Sequence, residues 1–460
     1  MKRAITVFLI TLAATVLSSC GGGGTTVAEG GIGGTGVSMG RVTQVGSVYV
    51  NGIHYNTDSA TFTVDSLASP TLSDISVGMV VRVTGSSDPT AGTGVADTVE
   101  YDSLLTGPVD TAFLANQLGA MGQVINVNAD TVYEGSAGRP LVEDLTIGDL
   151  IEVSGFTDGD SGTILATRIE VESTVTIYEV SGDVTAISGT TFQIGGLTIE
   201  AGSLPIPSAG AYVEIEGSSP PAGIVFNADS ISTIGNGDGT VADDGEETEF
   251  EGQITTGLGD VVGEPNQFIV NSQVVEIQQP GTNFEGGSTS DLTAGRIVEA
   301  EGVMNGTILL AEEIEIEASA SEKSEIEGVL GVDNVDLTAN TVTLLDRVIQ
   351  IDNATILEND LGGSSTFALS DLVSSDYLEA TVYDDNGVLT ASKLELESLP
   401  IGHTAALEGL PVQNGSNFEI LGIIINPDTT GYDFTPLERI EVKGNYSSGT
   451  LTATSITPSD

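Results

Sequence analysis

Hydrophobic and polar residues alternate along most of this chain in short runs such as Leu150-Ile-Glu-Val-Ser and Tyr212-Val-Glu-Ile-Glu, each closed by turn-forming residues. A period of two puts the apolar side chains on one face of a pleated strand. The pattern therefore predicts many short strands and, beyond the N-terminal segment, almost no helix. Two runs recur together. Asp149-Leu-Ile-Glu-Val-Ser-Gly155, a polar turn and Thr163-Ile-Leu-Ala-Thr-Arg-Ile-Glu-Val-Glu172 form the clearest copy. The pair returns as Met79–Gly85 with Ala96 and Val99, Ala211–Gly217 with Ala228 and Ile231, Arg296–Gly302 with Ala311 and Ile314, and Arg439–Gly444 with Ala453 and Ile456. A sixth copy, Asp376–Val382 with Ala391 and Leu394, lacks the glycine.

The alanines of these copies lie 62 to 83 residues apart, so each copy belongs to a domain-sized unit rather than to a solenoid rung. Upstream of each, a glycine opens a first strand: Gly40, Gly107, Gly182, Gly252, Gly328 and Gly409. Two more short strands follow it, giving about five per unit. The last strand changes parity. Ile164 and Ala166 fall on one face of an ideal strand and Ile169 and Val171 on the other; Leu309, Ala311, Ile314 and Ile316 repeat the shift. Keeping all four side chains inward requires one extra residue, a β-bulge that bends the strand, and the small Ala suits the bend. Bent strands serve small closed barrels, whereas an immunoglobulin-like sandwich takes about 100 residues. The expected fold class is all-β: six tandem five-stranded barrels of the OB type. The expected boundaries are an export segment 1–19, a Gly-rich tether 20–38, units 39–104, 105–175 and 176–235, an acidic linker 236–247, and units 248–319, 320–398 and 399–460.

The unit resembles a bacterial repeat family designated domain of unknown function 5666. The likeness rests on G-x-V-x-x-V, then D-L-x-x-G-D-x-V-E-V-x-G, then G-x-x-x-A-x-x-I-E-V, clearest from Asp144 to Val171. The first, third and sixth units depart most, the third lacking the Asp-Leu pair. The resemblance implies the repeated architecture and no catalysis.

At the N-terminus, Lys2 and Arg3 precede an apolar stretch, Ala4 to Leu17, interrupted only by threonines. Its length falls short of the roughly 18 to 20 residues that span a bilayer, so it reads as the core of an export signal. Leu17-Ser18-Ser19-Cys20 then resembles a bacterial lipobox, in which the Cys receives a diacylglyceryl group. Cys20 is the only cysteine in the chain, and a lone thiol has no disulfide partner. Lipidation of Cys20 accounts for it. The Gly/Thr/Ser-rich run behind it reads as a tether, and by resemblance to Gram-negative lipoproteins Gly21 favours release to the outer membrane, with the face left open.

Charge removes one class of partner. With 12 basic and 66 acidic residues the formal charge is −54, a surface that repels phosphate backbones and anionic headgroups. Nucleic acid is excluded as a partner, and membrane contact is left to the lipid. Chemistry is sparse. His54 and His403, the only histidines, lack a second His or Cys at ligand spacing, and no nucleophile elbow or Ser/His/Asp set occurs. The expectation is therefore a non-enzyme without a resident cofactor. One stretch, Gly235–Glu247, offers Asn236, Asp238, Thr240 and Asp243 as hard oxygen ligands for calcium, although a bidentate Glu does not fall where a calcium loop needs it. A second acidic turn, Asp158–Gly162, reads as a hairpin. The expected function is a lipid-anchored envelope protein acting as a multi-module spacer or as a binding module for a protein or polysaccharide. Its rivals are a calcium-responsive adhesin and, further off, an envelope enzyme.

Overall fold

The computed structural model describes residues 35–65, 67–136, 138–158, 163–233, 242–361, 367–385, 387–427 and 431–459. Strands joined by turns and six single-turn 3₁₀ helices make up its secondary structure, and no α-helix occurs among the described residues. The second unit shows how the alternating pattern closes. Leu105–Leu114 pairs antiparallel with Gln117–Ala120, which pairs with Gln123–Asn126. Gln123–Asn126 lies parallel to the first half of Thr163–Glu172, and the short Val132–Glu134 lies parallel to its second half. Thr163–Glu172 pairs antiparallel with Leu150–Asp158, which returns to Leu105–Leu114. The result is a five-stranded barrel with one short added strand. Several units repeat this small barrel.

The expected bulge is present. Opposite Ser154 stands Arg168 but opposite Gly155 stands Ala166, leaving Thr167 as the extra residue. The same slip occurs at Gly85, Gly302, Gly444 and Val382. It brings Ile164, Ala166 and Ile169 into one core. It also explains the motif glycine: a Cβ on Gly155 would lie 2.2 Å from the carbonyl oxygen of Leu165.

The D-L-x-x-G-D segment is likewise structural. Asp74, Asp144, Asp291 and Asp371 each accept the backbone N–H three residues upstream and so close a 3₁₀ turn. Ile75, Leu145 and Leu292 follow as buried residues. Gly78, Gly148 and Gly295 then take the left-handed conformation, a role filled in the fifth unit by Ser375. The third and sixth units have no such 3₁₀ turn among the described residues, and in the third the last strand is split into Val225–Asn227 and Ser230–Thr233.

The units do not follow one another as beads. Each first strand is covered along only part of one edge by its own hairpin, and a bare edge pairs readily. Thr35–Arg41 pairs in parallel with Glu247–Thr256 of the fourth unit, whereas Leu105–Leu114 pairs antiparallel with Tyr178–Asp183 of the third and Ser324–Val329 antiparallel with Ala405–Gly409 of the sixth. Residues 35–38, expected in the tether, are thus a strand, and Val37 is buried in the fourth unit's core. Val37, isolated between glycine and serine in a Gly/Thr/Ser-rich run, carries little signal. The end of the expected acidic linker is folded as well, with Ala242 buried in the same core and Glu247 opening a strand.

Candidate functional site

Cys20, Leu17, Ser18 and Ser19 lie outside the described residues, as do Asn236, Asp238 and Thr240 and most of the Asp158–Gly162 turn. Asp243 is described and exposed. Its N–H donates to Glu246 Oε2 at 2.9 Å, and its carbonyl accepts the Glu246 N–H. Asp244 accepts the Gly306 N–H at 2.7 Å. Asp244 and Glu246 therefore pin the entry to the fourth unit. His54 stands on the strand Ile53–Asn56 with its ring stacked on Tyr49, centroids 4.3 Å apart, and burial lowers its pKa. A concavity beside the fourth unit is lined by Gln278, Gln279, Pro280, Gly281, Thr282 and Phe284, none of them charged.

The concentrated chemistry lies elsewhere, at the seams between units. Arg168 and Lys393 each follow the bulge residue of a last strand and point away from the barrel core. Arg168 pairs with Glu134 and Glu170, and its Nη1 donates to the Val77 carbonyl of the first unit at 3.2 Å. Lys393 repeats the arrangement: it pairs with Glu358 and Glu395, both at 2.7 Å, and donates to the Thr131 carbonyl of the second unit at 3.2 Å. Lys323 Nζ meets Asp130 at 2.5 Å, and Arg41 meets Glu251 and Glu317. Lys323 and Arg41 hold Asp130 well below the usual carboxylate range.

Among the described residues, two groups of carboxylates bring three oxygens within 4.8 Å of one another: Asp360, Glu395 and Glu397, and Glu179, Glu214 and Glu216. The first group has Lys393 beside it. In the second, the charges acting most strongly on Glu179 are all negative: burial, then Asp65, Glu214, Asp102 and Glu216, push its carboxyl up to about 10. Burial and Asp102 push Glu214 up to about 7. Sequence reasoning missed both groups, because acids abound in this chain. The usable signal was an acid pair two residues apart on one strand, Glu214 and Glu216, and it identifies a cluster only once the neighbouring strand is known.

The geometry defines an all-β class of repeated small barrels joined by charged seams. A family model for a domain of unknown function (DUF5666) matches residues 39–100, 106–170, 251–315 and 331–395, together more than half of the chain, and the chain belongs to that family. The four matched stretches are those that carry the Asp-capped 3₁₀ turn before the penultimate strand. No curated protein matches the chain.

Proposed function

We propose that this protein is a non-enzymatic lipoprotein of the cell envelope, held at the outer membrane by an acylated Cys20, whose barrels together form a binding scaffold for a protein or polysaccharide. The observation that carries the reading is Leu17-Ser18-Ser19-Cys20 directly behind a short apolar export stretch, with no other cysteine in the chain. Among the two uses of a modular chain, binding is favoured over spacing, because pairing of the first strands folds the units against one another and shortens their reach. An adhesin governed by calcium at Asn236–Asp243 is the weaker reading, since Asp244 and Glu246 already serve as turn anchors. The test is acyl labelling of the protein expressed in a Gram-negative host. Label should reside on Cys20 and vanish in Cys20→Ala, with the variant leaving the membrane fraction. A Cys20→Ala chain that stays with the outer membrane contradicts the anchor, and protection of the wild-type protein from protease added to whole cells assigns it to the inner face.

A further inference from the structure

We propose that Glu179, Glu214 and Glu216, together with the hydroxyl of Ser181, form a calcium-binding site on the outer face of the third unit's sheet, where it meets the first and second units. The strands Tyr178–Asp183 and Tyr212–Gly217 run antiparallel, with Glu179 opposite Glu216 and Ser181 opposite Glu214. Alternation sends Val180, Val213 and Ile215 into the core and these four polar side chains to the other face. One oxygen from each glutamate lies within 4.8 Å of the others, and two oxygens across a calcium ion are about 4.6 to 5.2 Å apart.

The independent pointer to a ligand is Ser181. It is 5% exposed, and its Oγ has no hydrogen-bond partner. A buried hydroxyl left unpaired costs free energy, and the register sets this one on the face that carries the three glutamates. The surrounding charges agree. None of the ion pairs among the described residues includes Glu179, Glu214, Glu216, Asp65 or Asp102, whereas the Asp360 cluster has Lys393 within it. Hydroxyls complete the polar shell: Ser230 Oγ donates to Glu216 at 2.6 Å, and Ser103 Oγ, from the segment joining the first and second units, reaches Glu179 at 3.5 Å. Oxygen-only ligands with no His or Cys select a hard cation over zinc, and the irregular set suits calcium better than the strict octahedron of magnesium. Bound there, calcium would neutralise the seam and hold three units together. The inference stands apart from lipid anchoring, and either can fail alone.

The experiment uses the full mature chain, stripped with chelator and titrated with calcium chloride alone by calorimetry. The wild type should bind, Glu214→Gln/Glu216→Gln should lose roughly tenfold or more in affinity, and Asp360→Asn/Glu397→Gln should keep it. Ser181→Ala changes no charge and should weaken binding too, which keeps the test decisive if the double variant misfolds. Absence of binding at millimolar calcium overturns the proposal. So does a Glu214→Gln/Glu216→Gln chain that folds and binds as the wild type does, or equal loss in the Asp360→Asn/Glu397→Gln control.

Discussion

Replacing Lys393 by methionine tests whether the seams are held by charge. The ammonium is almost fully buried, lies 2.7 Å from carboxylate oxygens of both Glu358 and Glu395, and donates to Thr131 of the second unit. Methionine keeps much of the stem's packing but removes the charge, leaving two adjacent carboxylates in a desolvated site. Breaking a buried pair from one side costs about 3–5 kcal/mol, because the surviving charge is uncompensated. Glu395 sets the pH dependence. Burial already pushes it up to about 8 with the lysine present, and losing the lysine pushes it higher. A carboxyl whose folded pKa exceeds its unfolded one binds more protons when folded, so the part of the deficit due to Glu395 should shrink as pH falls through the variant's higher pKa toward about 8 and change little below it. Native-state hydrogen exchange of the strand Val388–Glu397 reads the local opening free energy directly. Lys393→Met/Glu358→Gln/Glu395→Gln, which removes all three charges, should recover most of the loss. A Lys393→Met variant within about 1 kcal/mol of wild type at pH 9, or one whose deficit grows as pH falls from 9 to 7.5, would refute the reasoning.

Further outcomes follow from the same structure. Glu249 and Glu251 lie buried where the first and fourth units meet, both pushed up to about 8 chiefly by burial, so chelator-treated wild type should melt higher at pH 5 than at pH 8. Below about pH 4 the trend should reverse, since the unfolded chain then takes up protons that the depressed Asp130 and Glu322 do not accept when folded; a melting temperature that rises steadily with pH contradicts this. In Gly302→Ala the new Cβ would lie 2.1 Å from the Leu310 carbonyl oxygen, and urea denaturation should show a loss of about 3 kcal/mol. Gly306→Ala, with open space but a φ of +62°, should lose only about 1–2 kcal/mol. Val37→Asp puts a carboxylate into the fourth unit's core and should expose the amides of Glu247–Phe250 to fast exchange; unchanged protection there would show that the first-strand pairing is not needed.

Within a unit the chain is readable because each signal is local. Alternation marks the strands, the parity change between Ala166 and Ile169 marks the bulge, and the glycine before it is required by a carbonyl 2.2 Å from where its Cβ would be. Between units the signals are not local. Nothing in Thr35–Arg41 distinguishes pairing with the fourth unit from pairing with the second, because backbone edges are the same for any sequence. The carboxylate cluster was hidden for a related reason: Glu179 and Glu214 become neighbours only when Tyr178–Asp183 and Tyr212–Gly217 lie side by side. The few basic residues were the overlooked clue. In a chain with 12 of them against 66 acids, a lysine or arginine inside an apolar strand has a reason to be there.

That reason is visible in the equivalence of Arg168 and Lys393. Both stand opposite the first residue of the short parallel strand, Val132 and Ile356 respectively, and both meet an acid two residues further along each of the two strands. The bulge turns this position outward, onto the surface where another unit packs, and in each case the cation then reaches a carbonyl of that neighbour. In the fourth unit the same position is Glu313, which is half-buried. The fourth unit still forms a seam, but its cation, Arg41, comes from the first unit and meets Glu251 and Glu317. Two strongly acidic barrels repel across a seam, and a buried cation sharing two carboxylates and a foreign carbonyl offsets that repulsion where packing excludes water. Repetition in this chain therefore supplies more than copies: the cation that joins two acidic units comes from after the bulge in the second and fifth units and from the first strand of the neighbour at the fourth.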